Sequence, residues 1–126
     1  MPHSDALSED RIFTLLSMGR RRALLRAVDR AGGEATVGEV TATLATAEHG
    51  YDTAASERKT VYVSLHQTHI PRLVEAGVLE HDAEAKTVRL TDRADVLLAY
   101  LHFDPSEKKP GLLSRLLGPR TRKRGN

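Results

Sequence analysis

The sequence predicts a mainly α-helical α+β domain that carries a small β-hairpin and a C-terminal helix. Five segments have apolar residues at helical spacing, and two short strand candidates lie between the fourth and the fifth. The fourth helical segment ends at Gly77, and glycine readily takes the positive φ that ends a helix. With 126 residues, the chain is long enough for one domain around a single core.

The fourth segment is predicted to be a helix over 56–76, and its two sides differ in chemistry. At about 100° per residue, a wide arc is apolar and contains Val61, Tyr62, Val63, Leu65, Ile70, Leu73, Val74 and Ala76. The remaining arc contains Thr60, Ser64, Gln67, Thr68, Pro71 and Glu75. Small hydrogen-bonding side chains along one helix face suit the reading of base edges in a major groove, and they equally suit an ordinary solvated face.

The segment after this helix favours the groove-reading interpretation. Gly77 is followed by strand candidates at 78–81 and 87–90, and a polar tip at 82–86 joins them. A helix, a glycine and a β-hairpin in this order correspond to the recognition helix and wing of a winged helix-turn-helix domain.

Two runs of residues resemble known families. His69-Ile70-x-x-Leu73-x-x-Ala76-Gly77-Val78-Leu79 is similar to the helix-into-wing segment of ArsR- and MarR-type regulators. Arg20-Arg21-Arg22, together with Arg58-Lys59-x-Val61-Tyr62-Val63-Ser64-Leu65-His66-Gln67-Thr68-His69, resembles an uncharacterised haloarchaeal family of winged-helix domains. The resemblance covers residues 7–101, and it implies an archaeal, cytoplasmic protein that binds DNA and regulates transcription.

Charge is divided unevenly along the chain. Residues 1–105 carry 12 Lys and Arg against 16 Asp and Glu, whereas residues 106–126 carry 7 against 1. The net charge of +2 therefore comes from the C-terminal segment. The excess of acidic residues in 1–105 is unusual for a DNA-binding domain. In the molar salt that the haloarchaeal resemblance implies, however, the Debye length is about 3 Å or less, so short-range hydrogen bonds do more of the binding.

Several classes of site and protein are excluded or disfavoured. The chain has no cysteine, which rules out disulfides, thiolate metal sites and cysteine nucleophiles. No apolar run approaches the roughly 18 residues of a membrane span, and there is no signal-peptide pattern, so we expect a cytoplasmic protein. There is no Gly-rich phosphate loop, no nucleophile with an evident base and no catalytic carboxylate pair. We therefore expect neither an enzyme nor a bound cofactor.

Start and stop signals place two helices and a strand near the N-terminus. Ser8 is a suitable N-cap for a first helix because its hydroxyl precedes acidic residues. A second helix is predicted from about Met18 to Arg30, with Gly32-Gly33 ending it. A brief β segment at 34–35 follows.

The third helix and its connection carry further signals. Thr36 and Glu39 have the spacing of a capping box. The connection to the central helix is predicted over 46–55, longer than the turn of a tight helix-turn-helix. Within the central helix, Pro71 predicts a kink near 67–70, because proline lacks the amide proton and clashes with the preceding turn.

Three consecutive arginines, Arg20, Arg21 and Arg22, begin the second helix. Positive charge at a helix N-terminus is unfavourable by about a few tenths of a kcal/mol, which indicates that the arginines are there for another reason. Phosphate binding beside the recognition helix is one explanation. A solvated face with local ion pairs is the other.

His66 and His69 are three residues apart, close enough to share a metal ion with Glu80 or His81 at the base of the wing. Both histidines lie within the apolar arc. We therefore prefer the interpretation that they are partly buried and packed under the wing, and we predict no metal site.

The last helix is predicted from a Thr91-Asp92 cap and covers 92–103. It is apolar on more than one side, through Val96, Leu97, Leu98, Tyr100, Leu101 and Phe103. A helix that covers one core needs only one apolar stripe. The additional apolar residues therefore predict a second packing surface, which a second copy of the chain would cover in a homodimer. The domain is expected over 7–104, followed by a basic, flexible tail at 105–126. This tail is interpreted either as a contact for DNA, a membrane surface or a partner, or as a solubilising segment.

The predicted function is that of a winged-helix regulator that binds duplex DNA. Ser64, Gln67 and Thr68 are the candidates for base contacts. The candidates for phosphate contacts are Arg58, Lys59, Arg72, Lys86, Arg89, Arg20 and Arg21. The alternative is a winged-helix module that binds other proteins and makes no direct contact with DNA.

Overall fold

The structure is a computed structural model that describes residues 6–103. The helices are α1 (Glu9–Leu15), α2 (Gly19–Arg30), α3 (Val37–His49), α4 (Ala55–Ser64), α5 (Ile70–Glu75) and α6 (Ala94–His102). A π-helical turn (Leu65–His69) joins α4 to α5, and we call the continuous 55–75 segment the central helix. The predicted basic tail at 105–126 lies outside the described residues.

Three short strands form one antiparallel sheet. They are β1 (Glu34–Thr36), β2 (Leu79–Asp82) and β3 (Thr87–Leu90), in the spatial order β1-β3-β2. Val88 of β3 lies opposite Ala35 of β1 and His81 of β2. The predicted fold class is confirmed, since the protein is mainly helical, with a β-hairpin wing and a C-terminal helix.

Local signals place the N-terminal elements as predicted. The Ser8 hydroxyl accepts a hydrogen bond from the Arg11 amide at 3.0 Å. The capping box of α3 is complete: the Glu39 amide donates to Thr36 Oγ1 at 3.0 Å, and the Thr36 amide donates to Glu39 Oε1 at 2.9 Å. Each cap supplies a partner for amides that the helix leaves unpaired.

The connection between α3 and the central helix is shorter than predicted. Helix α3 continues to His49, so only residues 50–54 connect it to α4. Leu44 and Ala45 are buried in the core, and their packing favours continued helix through the predicted loop. Gly50, at φ 91°, then ends α3.

The core is aliphatic. It contains Ile12, Leu15, Leu24, Leu25, Val28, Ala35, Val37, Val40, Leu44, Ala45, Val61, Leu65, Ile70, Leu73, Ala76, Val78, Leu79, Val88, Ala94 and Leu97. No phenylalanine or tyrosine is buried within residues 6–103. In the same part of the chain, no helix has both the length and the apolar character to cross a membrane.

The central helix accommodates Pro71 by a π-helical turn at the position of the predicted kink. The Ile70 amide donates to the Leu65 carbonyl, five residues earlier. Val61, Leu65, His69 and Leu73 are spaced by four residues and are all buried. In a regular α-helix these three intervals would rotate the stripe by about 120°. The wider turn removes most of that rotation, so the stripe stays directed at the core.

This turn corrects the predicted apolar arc. Tyr62 and Val74 were placed on it, but both side chains are 40% exposed. The helical wheel assumed one rotation per residue along the whole segment, whereas the π-helical turn changes the register of every residue after it, including Val74. Tyr62 lies before the turn, and its ring packs against His66 at the edge of the core.

The hairpin and the last helix meet at Gly77, which has φ 80° as predicted for a helix-ending glycine. A Cβ there would lie 3.4 Å from Arg93 Cδ. The Thr91 hydroxyl donates to the Gly77 carbonyl at 2.6 Å. The predicted capping role of Thr91 is therefore wrong: α6 begins at Ala94 without a side-chain cap.

Candidate nucleic-acid interface

The outward side of the central helix is polar and accessible. We define this outer face as Ser64, Gln67, Thr68, Pro71, Arg72 and Glu75. Gln67 and Thr68 are exposed, and Ser64 is half-buried. All of these residues except Ser64 line an open depression on the surface. The structure thus leaves Gln67 and Thr68 free to touch a bound molecule, and Ser64 less so.

Two cations flank these side chains. Lys59 in α4 and Arg72 in α5 are exposed, and neither forms an ion pair with a carboxylate of residues 6–103. They are 13 positions apart, or about 20 Å along a helix axis. Arg58 is also exposed, but its Nη1 donates to the Thr53 carbonyl at 2.9 Å, so it helps to fix the start of α4.

The wing contributes one unpaired cation. Lys86, at φ 60°, is exposed at the end of the hairpin turn, and no carboxylate of residues 6–103 pairs with it. Arg89 instead pairs with Glu80, its cross-strand neighbour, and its Nε donates to Glu80 Oε1 at 3.1 Å. That hydrogen bond raises the pKa of Arg89. Phosphate binding by Arg89 would have to compete with this carboxylate.

Arg20 is also engaged within the fold. Its Nε and Nη2 donate to the two carboxylate oxygens of Glu48, each at 2.7 Å. The hydrogen bonds from Arg20 lower the pKa of Glu48. This bidentate pair ties the start of α2 to the end of α3. The local ion-pair interpretation therefore describes Arg20 better than phosphate contact.

Arg21 is buried, and its predicted role in phosphate contact is wrong. Its side chain is 5% exposed. Arg21 Nη1 donates to the Thr14 and Leu15 carbonyls at 3.3 and 3.4 Å, and Arg22 Nη1 donates to the Leu16 carbonyl at 2.7 Å. These oxygens belong to the C-terminal end of α1, which needs donors and attracts positive charge. These hydrogen bonds offset the unfavourable placement of positive charge at the N-terminus of α2.

The two histidines of the π-helical turn have different surroundings. His66 is half-buried, and its ring lies between Tyr62 and His81, with centroids 4.6 and 5.6 Å away. His69 is 3% exposed and accepts a hydrogen bond at Nδ1 from Arg21 Nε at 3.3 Å. Burial, and then the charges of Arg21 and Arg20, lower the pKa of His69. Among residues 6–103, no group of three metal-binding side chains is assembled.

With this geometry established, comparison with known proteins gives one family. Residues 13–89 match the model of a domain of unknown function, DUF7344. The chain belongs to the DUF7344 family. No curated protein and no solved structure matches it.

The DUF7344 match extends from the middle of α1 to β3. It therefore includes the arginine triplet, the outer face and the wing, and it leaves α6 outside. Two features of this DUF7344 protein were not predicted from its sequence, the Arg21–His69 contact and the π-helical form of the turn. Pro71 was the one available signal for the turn, whereas the contact joins residues 48 positions apart and has no local signal.

Proposed function

We propose that this DUF7344 protein binds duplex DNA through the outer face of its central helix and regulates transcription. The observation that carries the proposal is the exposure of Gln67 and Thr68 between Lys59 and Arg72, two cations that no carboxylate in the described part of the chain pairs with. The resemblance to haloarchaeal winged-helix domains and to ArsR- and MarR-type regulators supports it. On this proposal the protein acts in the cytoplasm, without catalysis or a cofactor.

The chemistry of the outer face fits a major groove. A groove about 12 Å wide admits one helix, and a glutamine amide forms two hydrogen bonds with adenine. Lys59 and Arg72 hold phosphates on either side of these base contacts, and Lys86 adds a backbone contact from the wing. Ser64, Arg58 and Arg89 are secondary candidates, since each is partly buried or already bonded within the fold.

The alternative function is a protein-binding module. It is favoured by the engagement of Arg20, Arg21 and Arg89 within the fold, which removes the phosphate contact expected of Arg21 and weakens those expected of Arg20 and Arg89. The exposed Val74 beside the outer face also provides apolar contact area.

Electrophoretic mobility shifts with mixed genomic fragments, at several salt concentrations, test the DNA proposal. Gln67→Ala should change the preference among fragments by about 1–3 kcal/mol, because it removes a base contact. Lys59→Ala should weaken binding to all fragments alike, because it removes a phosphate contact. The slope of the logarithm of the binding constant against the logarithm of the salt concentration should fall in magnitude by about one.

Arg30→Ala is the matched control, since it removes an exposed positive charge at the far end of α2. It should bind as the wild type does. If the wild type shifts no fragment even at low salt, the protein-binding alternative replaces the proposal. If Gln67→Ala and Lys59→Ala behave like Arg30→Ala, the contact assignments are wrong.

A homodimer through α6 is part of the same proposal. The core-facing side of α6 uses Ala94 and Leu97, and a second stripe with helical spacing faces outward at Val96, Ala99, Tyr100 and Phe103. The ring of Phe13 from α1 packs edge-on against Tyr100 at 5.6 Å and enlarges this surface. A second copy of the chain that buries this surface gives a closed, two-fold dimer.

Sedimentation equilibrium measures the dimer directly. We expect the wild type to sediment as a dimer and Tyr100→Glu as a folded monomer, because a carboxylate cannot be buried in an apolar interface without a partner. Asp95→Asn, on the same helix and exposed, should remain dimeric. A monomeric wild type at tens of micromolar would rule the dimer out.

A further inference from the structure

A buried arginine and a buried histidine meet behind the outer face. Arg21 and His69 are 5% and 3% exposed, and Arg21 Nε donates to His69 Nδ1 at 3.3 Å. Since Nδ1 is the acceptor, the imidazole is neutral and carries its proton on Nε2. No carboxylate within residues 6–103 forms an ion pair with either side chain. The guanidinium is held by neutral acceptors, which is unusual for a buried charge.

This hydrogen bond lies at the end of the π-helical turn. His69 is the last residue of that turn, and the next residue, Ile70, donates the amide hydrogen bond that closes it. Gln67 and Thr68 project outward from the same turn, while His69 projects inward against α2. Return to an α-helical register would rotate all later side chains by about 100° relative to α4. The inward contact and the outward side chains Gln67 and Thr68 therefore belong to the same turn.

Within residues 6–103, the charges that shift the pKa of His69 are positive. From α2 these are Arg21, which is bonded to it, and Arg20, whose charge lowers the pKa of His69. Burial, and then the charge of Arg72 in α5, lower the pKa of Arg21. Helix α1 contributes only backbone carbonyls to this cluster, those of Thr14 and Leu15. The carboxylate of Glu48 is bound to Arg20.

Protonation of His69 would remove the acceptor at Nδ1 and place a second cation against Arg21. The lowered pKa of His69 gives the sign of the pH effect. Above the ordinary histidine pKa of about 6.5, the folded contact is fully stable. As the pH falls below that value, the open state binds a proton more readily than the closed state, and the contact loses stability.

We infer that Arg21 and His69 are positioning residues for the outer face, which their hydrogen bond holds in the π-helical register and which protonation of His69 releases. The consequence for DNA recognition rests on the proposed function. The hydrogen bond and its release are properties of the free protein, so the two claims are tested separately.

The first test is NMR on the full-length protein without DNA. At pH 7.5, the imidazole nitrogen shifts of His69 should show the Nε2–H tautomer. Between pH 7.5 and 5, the protection factor of the Ile70 amide should fall by about tenfold for each pH unit below the ordinary histidine pKa of about 6.5. This slope is expected when one proton binds on opening. A His69 that is protonated at Nδ1 at pH 7.5, or protection that is independent of pH, would overturn the inference.

Two variants separate this role from simple packing. His69→Asn places an amide oxygen near the position of Nδ1 and does not titrate, so it should keep the Ile70 protection at both pH values. His66→Asn removes the other histidine of the same turn, which has no arginine contact among its described interactions, and should keep the wild-type response to pH. If the Ile70 protection of His69→Asn falls with pH as it does in the wild type, the inference is contradicted. If that variant does not fold, the wild-type tautomer and protection decide the question.

The second test uses the genomic fragments of the mobility shift at pH 7.5 and 5.5. The ratio of preferred to non-preferred binding should fall about tenfold for the wild type and stay constant for His69→Asn. A constant ratio for the wild type would overturn the link to recognition. If the protein binds no fragment at either pH, the proposed function fails, and the NMR result still decides the Arg21–His69 claim.

Discussion

Leu73→Ala is expected to lower the free energy of unfolding by about 2–5 kcal/mol, whereas Val74→Ala should change it by less than about 0.5 kcal/mol. The two residues are neighbours in α5, but Leu73 is fully buried and Val74 is 40% exposed. Truncation of Leu73 removes apolar contacts and leaves a cavity among packed side chains. Urea denaturation, followed by far-ultraviolet circular dichroism, measures both free energies.

This pair also tests the π-helical turn. A uniform helical wheel places Leu73 and Val74 together on the apolar arc, and it predicts a substantial loss for both variants. The structure predicts a loss for one only. Val61→Ala, before the turn and fully buried, is a useful reference because both registers bury it. Comparable losses for Leu73→Ala and Val74→Ala would contradict the register described for α5.

Arg21→Met is expected to lower the free energy of unfolding by about 3 kcal/mol. Methionine fills much of the same space, but it leaves His69 Nδ1 and the Leu15 carbonyl without this donor, while the Thr14 carbonyl keeps its hydrogen bonds from Ser17. Each buried acceptor without a partner costs about 1–3 kcal/mol. Thermal and urea denaturation at pH 7.5 measure the loss.

The same substitution at the two neighbouring arginines provides the control. Arg20→Met removes a half-buried ion pair with Glu48 and should cost at most about 1 kcal/mol. Arg22→Met removes one hydrogen bond to the Leu16 carbonyl, also worth about 1 kcal/mol. Burying a charge is itself costly, and apolar replacements of buried ions are sometimes neutral. If Arg20→Met, Arg21→Met and Arg22→Met are equally stable, the free-energy cost of burying the Arg21 charge cancels the stabilisation from its hydrogen bonds.

Features encoded by neighbouring residues were predictable from the sequence. The capping box needs only Thr36 and Glu39, and the end of the central helix needs only Gly77. The hairpin strands were predicted at 78–81 and 87–90 around a polar tip, within one residue of the observed β2 and β3. Each signal acts within one turn or one strand, so a single sequence contains it in full.

Features that depend on distant contacts were not predictable in the same way. Three adjacent arginines look equivalent in sequence, yet Arg20 binds a carboxylate 28 positions away and Arg21 binds a histidine 48 positions away. Only the packing of α2 against α1, α3 and the central helix distinguishes them. The candidate site divides in the same manner. The exposure of Gln67 and Thr68 agrees with the periodicity, whereas the exposure of Val74 depends on the π-helical turn.

The wing is not a free appendage of the domain. Strand β1 pairs with β3 and passes into α3 without an intervening loop, and the Val37 amide, at the first residue of α3, donates to the Lys86 carbonyl at 2.9 Å. A force on the hairpin tip is therefore transmitted to the start of α3, and from its far end to the 50–54 connection. On the proposed function, a molecule bound at the tip would therefore also load the junction ahead of the central helix, and we expect the hairpin and that helix to bind DNA together.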